Sequence, residues 1–205
     1  MTFVDKYGVN HAYEPTGEIY YETKRTLSGS DSIRENIDTG GKELINFEMR
    51  GYFLASRAPT NSGLQCKMRG GQHYTDPDKS DEGACYAPAI KISSGTPHLR
   101  YEDGHPYYKK ITVEPKKKFG KLSGKWFGFA AAIQTTAGGN VRIKTWVDPP
   151  VTTLTTPPNK WVLAMDYTDK KYKQLHKRGK TTKVTFRLDD SPLKVKYLSA
   201  HEILM

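Results

Sequence analysis

Trp126-Phe127-Gly128-Phe129-Ala130-Ala131-Ala132-Ile133-Gln134 and, after a short break, Val141-Arg142-Ile143-Lys144-Thr145-Trp146-Val147 decide the fold class. The first run is apolar at both parities, the pattern of a strand covered on two faces. The second alternates, with Val141, Ile143, Thr145 and Val147 at one parity and Arg142, Lys144 and Trp146 at the other, the pattern of a half-buried strand. Between them, Ala137-Gly138-Gly139-Asn140 supplies the positive φ angles that a tight reversal needs. The two runs therefore predict an antiparallel hairpin.

The same period of two extends outward from this hairpin. Upstream, Ile45, Phe47, Met49, Gly51 and Phe53 fall on one face, and Asn46, Glu48, Arg50 and Tyr52 on the other. Leu64, Cys66 and Met68 alternate with Gln65, Lys67 and Arg69. Further strands are predicted at 85–92, 97–102, 107–113, 161–166, 183–188 and 194–199, separated by turn clusters such as Ser93-Ser94-Gly95, Asp103-Gly104 and Asp189-Asp190-Ser191-Pro192. Residues 148–158 read as a stiff, extended Pro/Thr-rich connection over the surface, and 170–180 as a basic loop. Residues 1–43 are irregular, with one strand predicted near 17–23. Ser32 to Glu35 has the spacing of a capping box without the apolar stripe that should follow, which predicts one helical turn at most.

About ten short strands and no amphipathic helix predict an all-β chain, an antiparallel β-sandwich or jelly roll. All 205 residues fit one domain, with the sandwich core over 44–203. Only 36% of the chain is apolar, but 13 Tyr, 7 Phe and 3 Trp give a twisted sheet wide surfaces to bury. Trp126 and Trp146 sit in apolar strands and read as core residues. Trp161, which follows the proline-rich loop, reads as exposed and ligand-binding.

The formal net charge is +10, which points to an acidic partner: an anionic polysaccharide or an acidic protein surface. Lys109-Lys110, Lys116-Lys117-Lys118, Lys121 and Lys125 form one basic cluster, interleaved with Tyr107, Tyr108 and Phe119. No nucleic-acid module accompanies it, so nucleic acid is the weakest of the anionic partners. No stretch approaches the roughly 18 apolar residues of a membrane span. The first residues lack the apolar core of a signal peptide, which predicts cytoplasmic synthesis, with assembly into a particle as one destination. Cys66 and Cys85 are too few for a disulfide framework and read as free thiols. No Gly-x-Ser-x-Gly element, P-loop or Cys-x-x-Cys pair is present, which leaves hydrolase, nucleotide and zinc-finger readings without support.

Lys67-Met68-Arg69-Gly70-Gly71-Gln72-His73, Cys85-Tyr86, Arg100-Tyr101-Glu102 with His105 and Tyr108, and Leu122-Ser123-Gly124-Lys125-Trp126-Phe127-Gly128-Phe129 resemble a group of concanavalin A-like jelly-roll proteins. That group is similar in architecture to polysaccharide lyases and laminarinase-type lectin domains. The resemblance spans about residues 45 to 203, and Phe186-Arg187-Leu188-Asp189 with Val195 to Ile203 resembles the last strands of that fold. It implies a glycan-interacting protein and, if catalytic, β-elimination on a uronate-containing polysaccharide. In that reading Arg69 and Gln72 neutralise the uronate carboxylate, His73 or His105 removes the ring proton, and Tyr108 protonates the leaving oxygen. Arg100, Glu102, Tyr74, Tyr107 and Lys109 join Trp161 as ligand-binding candidates. Gln72 stands where the group usually has a second histidine, a departure that weakens any paired-histidine mechanism.

No cofactor is implied. The residue types allow two readings of a structural divalent cation: Glu102, His105 and His73 as a mixed carboxylate–imidazole set, and Asp148, Asp166 and Asp169 as calcium ligands without a dense carboxylate loop. The alternative function, from another class, is a non-catalytic structural or decoration protein of a virus particle or similar assembly, with homo-oligomerisation as a corollary.

Overall fold

The computed structural model describes residues 2–4, 10–12, 21–22, 32–38, 45–58, 63–69, 85–102, 108–170, 183–189 and 193–203. Every regular element among them is a strand: β1 (Thr2–Val4), β2 (Asn10–Ala12), β3 (Tyr21–Glu22), β4 (Ser32–Asp38), β5 (Phe47–Ala55), β6 (Gly63–Lys67), β7 (Cys85–Lys91), β8 (Pro97–Glu102), β9 (Tyr108–Ile111), β10 (Trp126–Thr135), β11 (Val141–Val151), β12 (Val162–Asp169), β13 (Lys183–Asp189) and β14 (Leu193–Glu202). Two six-stranded sheets form, in the orders β12-β11-β10-β5-β14-β3 and β4-β13-β6-β7-β8-β9, and β1 pairs with β2 separately. All of these pairings are antiparallel. The protein is an antiparallel β-sandwich of the jelly-roll kind.

The core forms where the inward parities of the two sheets meet. Phe47, Met49, Phe53, Phe127, Phe129 and Ile133 of the first sheet share one buried cluster with Leu64, Cys66, Tyr86, Ile90 and Leu99 of the second. At about 25 cal/mol per Å² of apolar surface, burial of this set is the main force holding the sheets face to face. Cys66 and Cys85 are both buried and not joined in a disulfide, and burial pushes the Cys66 thiol well above its ordinary range. The hairpin follows the sequence closely. Thr136 N donates to Asn140 O at 2.8 Å, Gly139 N donates to Thr136 O at 2.8 Å, and Gly139 takes φ +73°.

Three expectations need correction. The segment read as one helical turn is strand β4, paired along its whole length with β13 from Ser32↔Asp189 to Asp38↔Lys183. A strand partner far along the chain satisfies its backbone, and local capping chemistry could not reveal that partner. Pro149 and Pro150 belong to the end of β11, where Val151 still pairs with Trp126; proline's φ is compatible with an extended strand end. Trp146 lies outside the core and is half-buried. Its register with Ala130 and Leu163 puts it on the outer face of the first sheet.

No helix among the described residues is long and apolar enough to cross a membrane.

Candidate functional site

The outer face of the first sheet holds a shallow depression of about 190 Å³ lined by Glu48, Arg50, Ala130, Trp146 and Trp161. Strand register explains how it forms. Ala130 of β10 is directly opposite Arg50 of β5 on one side and Trp146 of β11 on the other. A small residue therefore floors the middle of a three-strand row whose flanks are a guanidinium and an indole. Strands sit about 4.8 Å apart, so the flanks stand roughly 10 Å from each other, with room for one flat ring between them. Register shifts at Trp126/Gly128 and at Thr145/Trp146 interrupt the ladders on this face, and such bulges bend strands and re-aim side chains.

The next row, Tyr52–Gly128–Asp148, builds the seat of Trp161. Across Gly128, the Tyr52 hydroxyl donates to Asp148 Oδ2 at 2.5 Å, and Lys160 N donates to the same oxygen at 3.1 Å. The second bond ties the residue before Trp161 to the sheet. The indole then lies over Gly128, where a Cβ would come within 2.7 Å of Trp161 Cη2 and 2.7 Å of Asp148 Cβ. Its ring packs on Tyr52 with centroids 5.5 Å apart at 57°, and Trp161 Nε1 donates to Asn159 Oδ1 at 3.4 Å. Burial, aided by the Asp148 carboxylate, pushes the Tyr52 phenol well above its ordinary range, so it stays a neutral donor.

The approach to Trp161 is fastened as well. Leu154 is buried with Tyr52 and Trp126, Lys196 Nζ donates to Leu154 O at 3.2 Å, and the Tyr197 hydroxyl donates to Thr155 O at 3.2 Å. The proline-rich connection thus folds down onto the sheet and sets the position of Trp161.

The charges around the depression are unequal. Arg142 makes a two-pronged pair with Asp166 at 2.9 and 2.7 Å, which holds the Asp166 carboxyl below its ordinary range. Arg50 is exposed, and its side chain makes no hydrogen bond or ion pair among the described residues. The depression is therefore lined by two indole side chains, one uncommitted guanidinium and Glu48. Indole faces take flat apolar surfaces and cations, and a guanidinium fork takes a carboxylate through two parallel bonds. Chemically, this arrangement suits a flat ligand that carries a negative charge.

Of the residues singled out in the sequence, Trp161 lines the depression and the others with a described position belong to the second sheet. Arg69 lies just past β6 with φ +52° and is only 3% exposed. Its Nε donates to Ile45 O at 2.7 Å, and its Nη2 donates to Asn46 Oδ1 and Thr135 Oγ1, both at 3.0 Å. These bonds tie the end of β6 to one end of the opposite sheet's β5–β10 pair, where β5 begins and β10 finishes. Burial lowers the guanidinium pKa to about 10, and its Nη1 finds no acceptor among the described residues. Arg100 is half-buried on β8. Register sets Tyr108 opposite Glu102, Lys109 opposite Tyr101 and Lys110 opposite Arg100. Glu102 and Tyr108 are therefore neighbours across the β8–β9 pair, with Arg100 two positions from Glu102. Gln72, His73, Tyr74, His105 and Tyr107 lie outside the described residues, as does most of the basic loop at 170–180. Among the described residues no group of three or more His, Cys, Asp and Glu side chains could hold a metal ion.

Arg50, Glu48 and Trp146 were not marked as functional by sequence reasoning. A signal for each was present in the alternation, since Glu48 and Arg50 share the polar parity of their strand and Trp146 shares the parity of Arg142 and Lys144.

The two antiparallel sheets and their order define the fold as a concanavalin A-like jelly roll. No protein-family model matches the sequence and no curated protein resembles it in sequence. Among solved structures, the chain is similar to the carbohydrate-binding module CBM66 from Bacillus subtilis, with a TM-score of 0.51 and 9% identity over 91% of this chain and 93% of that one. The exoplasmic/lumenal domain of VIP36 bound to Ca2+ and Man3GlcNAc aligns with a TM-score of 0.49 and 9% identity, over 99% of this chain and 92% of that one. The marine PL-14 alginate lyase from Aplysia kurodai aligns with a TM-score of 0.47 and 10% identity, over 98% of this chain and 86% of that one.

Proposed function

We propose that the protein binds carbohydrate, and that its ligand is an anionic polysaccharide with one acidic sugar seated in the depression on the outer face of the first sheet. The observation that carries this reading is the row Arg50–Ala130–Trp146 with Trp161 beside it. A sugar ring laid over Ala130 stacks its C–H face on indole and turns a uronate carboxylate toward Arg50, while Glu48 accepts from its hydroxyls. The fold of a carbohydrate-binding module supports the reading.

Binding of an immobilised panel of neutral and acidic oligosaccharides tests it. Retention of acidic members by the wild-type protein, lost on Trp146→Ala and on Trp161→Ala, is the expected result; retention of none overturns it.

Cleavage by β-elimination is a finer reading of the same ligand class, in which the sequence resemblance assigns roles to Arg69, Gln72, His73, His105 and Tyr108. The pairing of Tyr108 with Glu102 near Arg100 favours it. Incubation with polyuronates, monitored by the ultraviolet absorbance of unsaturated products, tests it separately from binding. The particle-decoration alternative has no structural observation in its favour among the described residues.

A further inference from the structure

Residues 112–125, between β9 and β10, form no regular element, yet their backbone is fixed at four points. Lys116 N donates to Ala164 O on edge strand β12 at 2.9 Å, Phe119 N to Gly95 O at 3.1 Å, Leu122 N to Ile92 O at 2.9 Å, and Gly124 N to Ala55 O of β5 at 2.9 Å. The segment thus braces the two sheets against each other. Leu122 is fully buried and Phe119 packs against the core. Gly95 and Gly120 both take positive φ, and a Cβ on Gly95 would stand 2.5 Å from Gly120 O. This contact leaves the brace no slack.

Along this fixed backbone Lys116, Lys117, Lys118, Lys121 and Lys125 are all exposed, and Glu114 is the only acid between 112 and 125. Lys116 is shared with Asp166, whose carboxyl it helps to hold low. Lys117 Nζ lies 5.7 Å from the centroid of Phe119. Lys117, Lys118, Lys121 and Lys125 form no ion pair among the described residues. In a mobile loop such lysines would splay apart. Here the backbone holds them together, so their field is a standing one and a polyanion orders little protein when it binds.

The brace ends at the start of the strand that floors the proposed sugar site. Lys125 precedes Trp126, which begins β10 and has Lys196 Nζ 5.5 Å from its ring centroid. Trp126 and Ala130 lie four positions apart on that strand, a rise of about 13 Å.

We infer that residues 116–125 form an anion-binding ridge that takes the continuation of an acidic polysaccharide chain whose one sugar occupies the Trp146–Trp161 depression. This inference rests on the carbohydrate reading above and adds that the ligand is a polyelectrolyte engaged over several sugars. Nucleic acid fits less well: the ridge's one aromatic ring, Phe119, is partly buried beneath Lys117, which leaves no open face on which a base could stack.

The test is a titration of the full chain and of its Lys117→Ala/Lys118→Ala/Lys121→Ala variant. The probes are a uronate disaccharide, a long polyuronate and a single-stranded DNA oligonucleotide of equal charge, each at low and at moderate salt. The variant should melt like the wild type, because all three side chains are exposed. The wild type should bind the polymer at least about tenfold more tightly than the disaccharide at low salt, with a steep salt dependence. The variant should lose that advantage and flatten the salt slope, with its disaccharide affinity unchanged. Normal disaccharide binding together with an unchanged polymer salt slope in the variant overturns the ridge alone. Failure of the wild type to bind the disaccharide, or disaccharide binding indifferent to Trp146→Ala, overturns the parent reading. DNA bound as tightly as polyuronate overturns the choice of partner.

Discussion

Gly128→Ala isolates the seat of Trp161 from the rest of the fold. A Cβ at this position meets Asp148 Cβ and Trp161 Cη2 at 2.7 Å and Trp161 Cζ3 at 3.0 Å, against a favourable carbon–carbon separation of roughly 3.5–4.0 Å. Asp148 is held in β11 and cannot retreat. Trp161 stands one residue before β12 and is half-buried, so the indole gives way by about 1 Å. Overpacking of this kind costs about 1–3 kcal/mol, and the gain from replacing a strand glycine, about 0.4–1 kcal/mol, offsets part of it. The net expectation is a loss of about 1–2 kcal/mol in urea unfolding with an unchanged m-value. Loss of acidic-oligosaccharide binding and a changed near-ultraviolet tryptophan signal should accompany it. In a Trp161→Ala background the clash partner is gone, so Gly128→Ala should then cost little. A coupling of about 1 kcal/mol or more between the two changes is the signature. Additive effects, or a Gly128→Ala protein that binds and unfolds like the wild type, refute the proposed packing of Trp161 on Gly128.

Two further predictions concern buried polar groups. Tyr52→Phe removes the hydroxyl that donates to Asp148 Oδ2 while Oδ1 already has no partner; it should cost about 1.5–3 kcal/mol by chemical denaturation and weaken ligand binding by loosening Trp161. Stability should also fall as pH rises above 10. The Tyr52 and Tyr86 phenols, mainly because they are buried, are both raised above their ordinary value of 10.0, so the folded state keeps protons that the unfolded state releases. Their contribution is complete below pH 10 and is lost above it. Arg69, lowered from 12.5 to about 10, acts in the opposite sense over that window, but it is one group against two. Tyr52→Phe should therefore flatten the alkaline decline. Arg69→Ala breaks the bonds to Ile45, Asn46 and Thr135 and should destabilise the fold by about 2 kcal/mol in a thermal or urea melt. An Arg69→Ala protein of wild-type stability that has lost polyuronate cleavage would instead give Arg69 a direct role in the site.

Much of the sandwich is legible from alternation alone. In β5, Phe47, Met49 and Phe53 are buried while Glu48 and Arg50 are not, as the period of two requires. The apolar run 126–133 of β10 is indeed covered on both faces: its inward side meets the core, and its outward Gly128 and Ala130 lie under and beside tryptophans. Parity gives a residue's side of the sheet, but it does not say what covers that side. Hydrophobicity alone therefore reads Trp146 as core, although its strand parity, shared with Arg142 and Lys144, points it outward. The depression draws on residues from Glu48 to Trp161, joined only by the β5–β10–β11 register, and no local motif announces such a row. Strand β4 failed for a similar reason, since its partner β13 lies about 150 residues away along the chain. The elements around Arg69, Gln72 and His73 were conspicuous because arginine, glycine and histidine cluster there. Of these, Arg69 turns out to be bonded to the backbone and side chains that close the end of the sandwich.

The most direct test of the central claim is the affinity of an acidic oligosaccharide for the wild-type protein and for Trp146→Ala, measured by isothermal titration calorimetry, with Arg50→Met alongside. Truncation of a central tryptophan anchor should cost about 2 kcal/mol or more, roughly a thirtyfold rise in Kd. Arg50→Met should weaken the acidic ligand and leave a neutral analogue unaffected. Wild-type affinity in the Trp146→Ala protein, with its fold intact, would contradict the assignment of the outer face of the first sheet as the binding site.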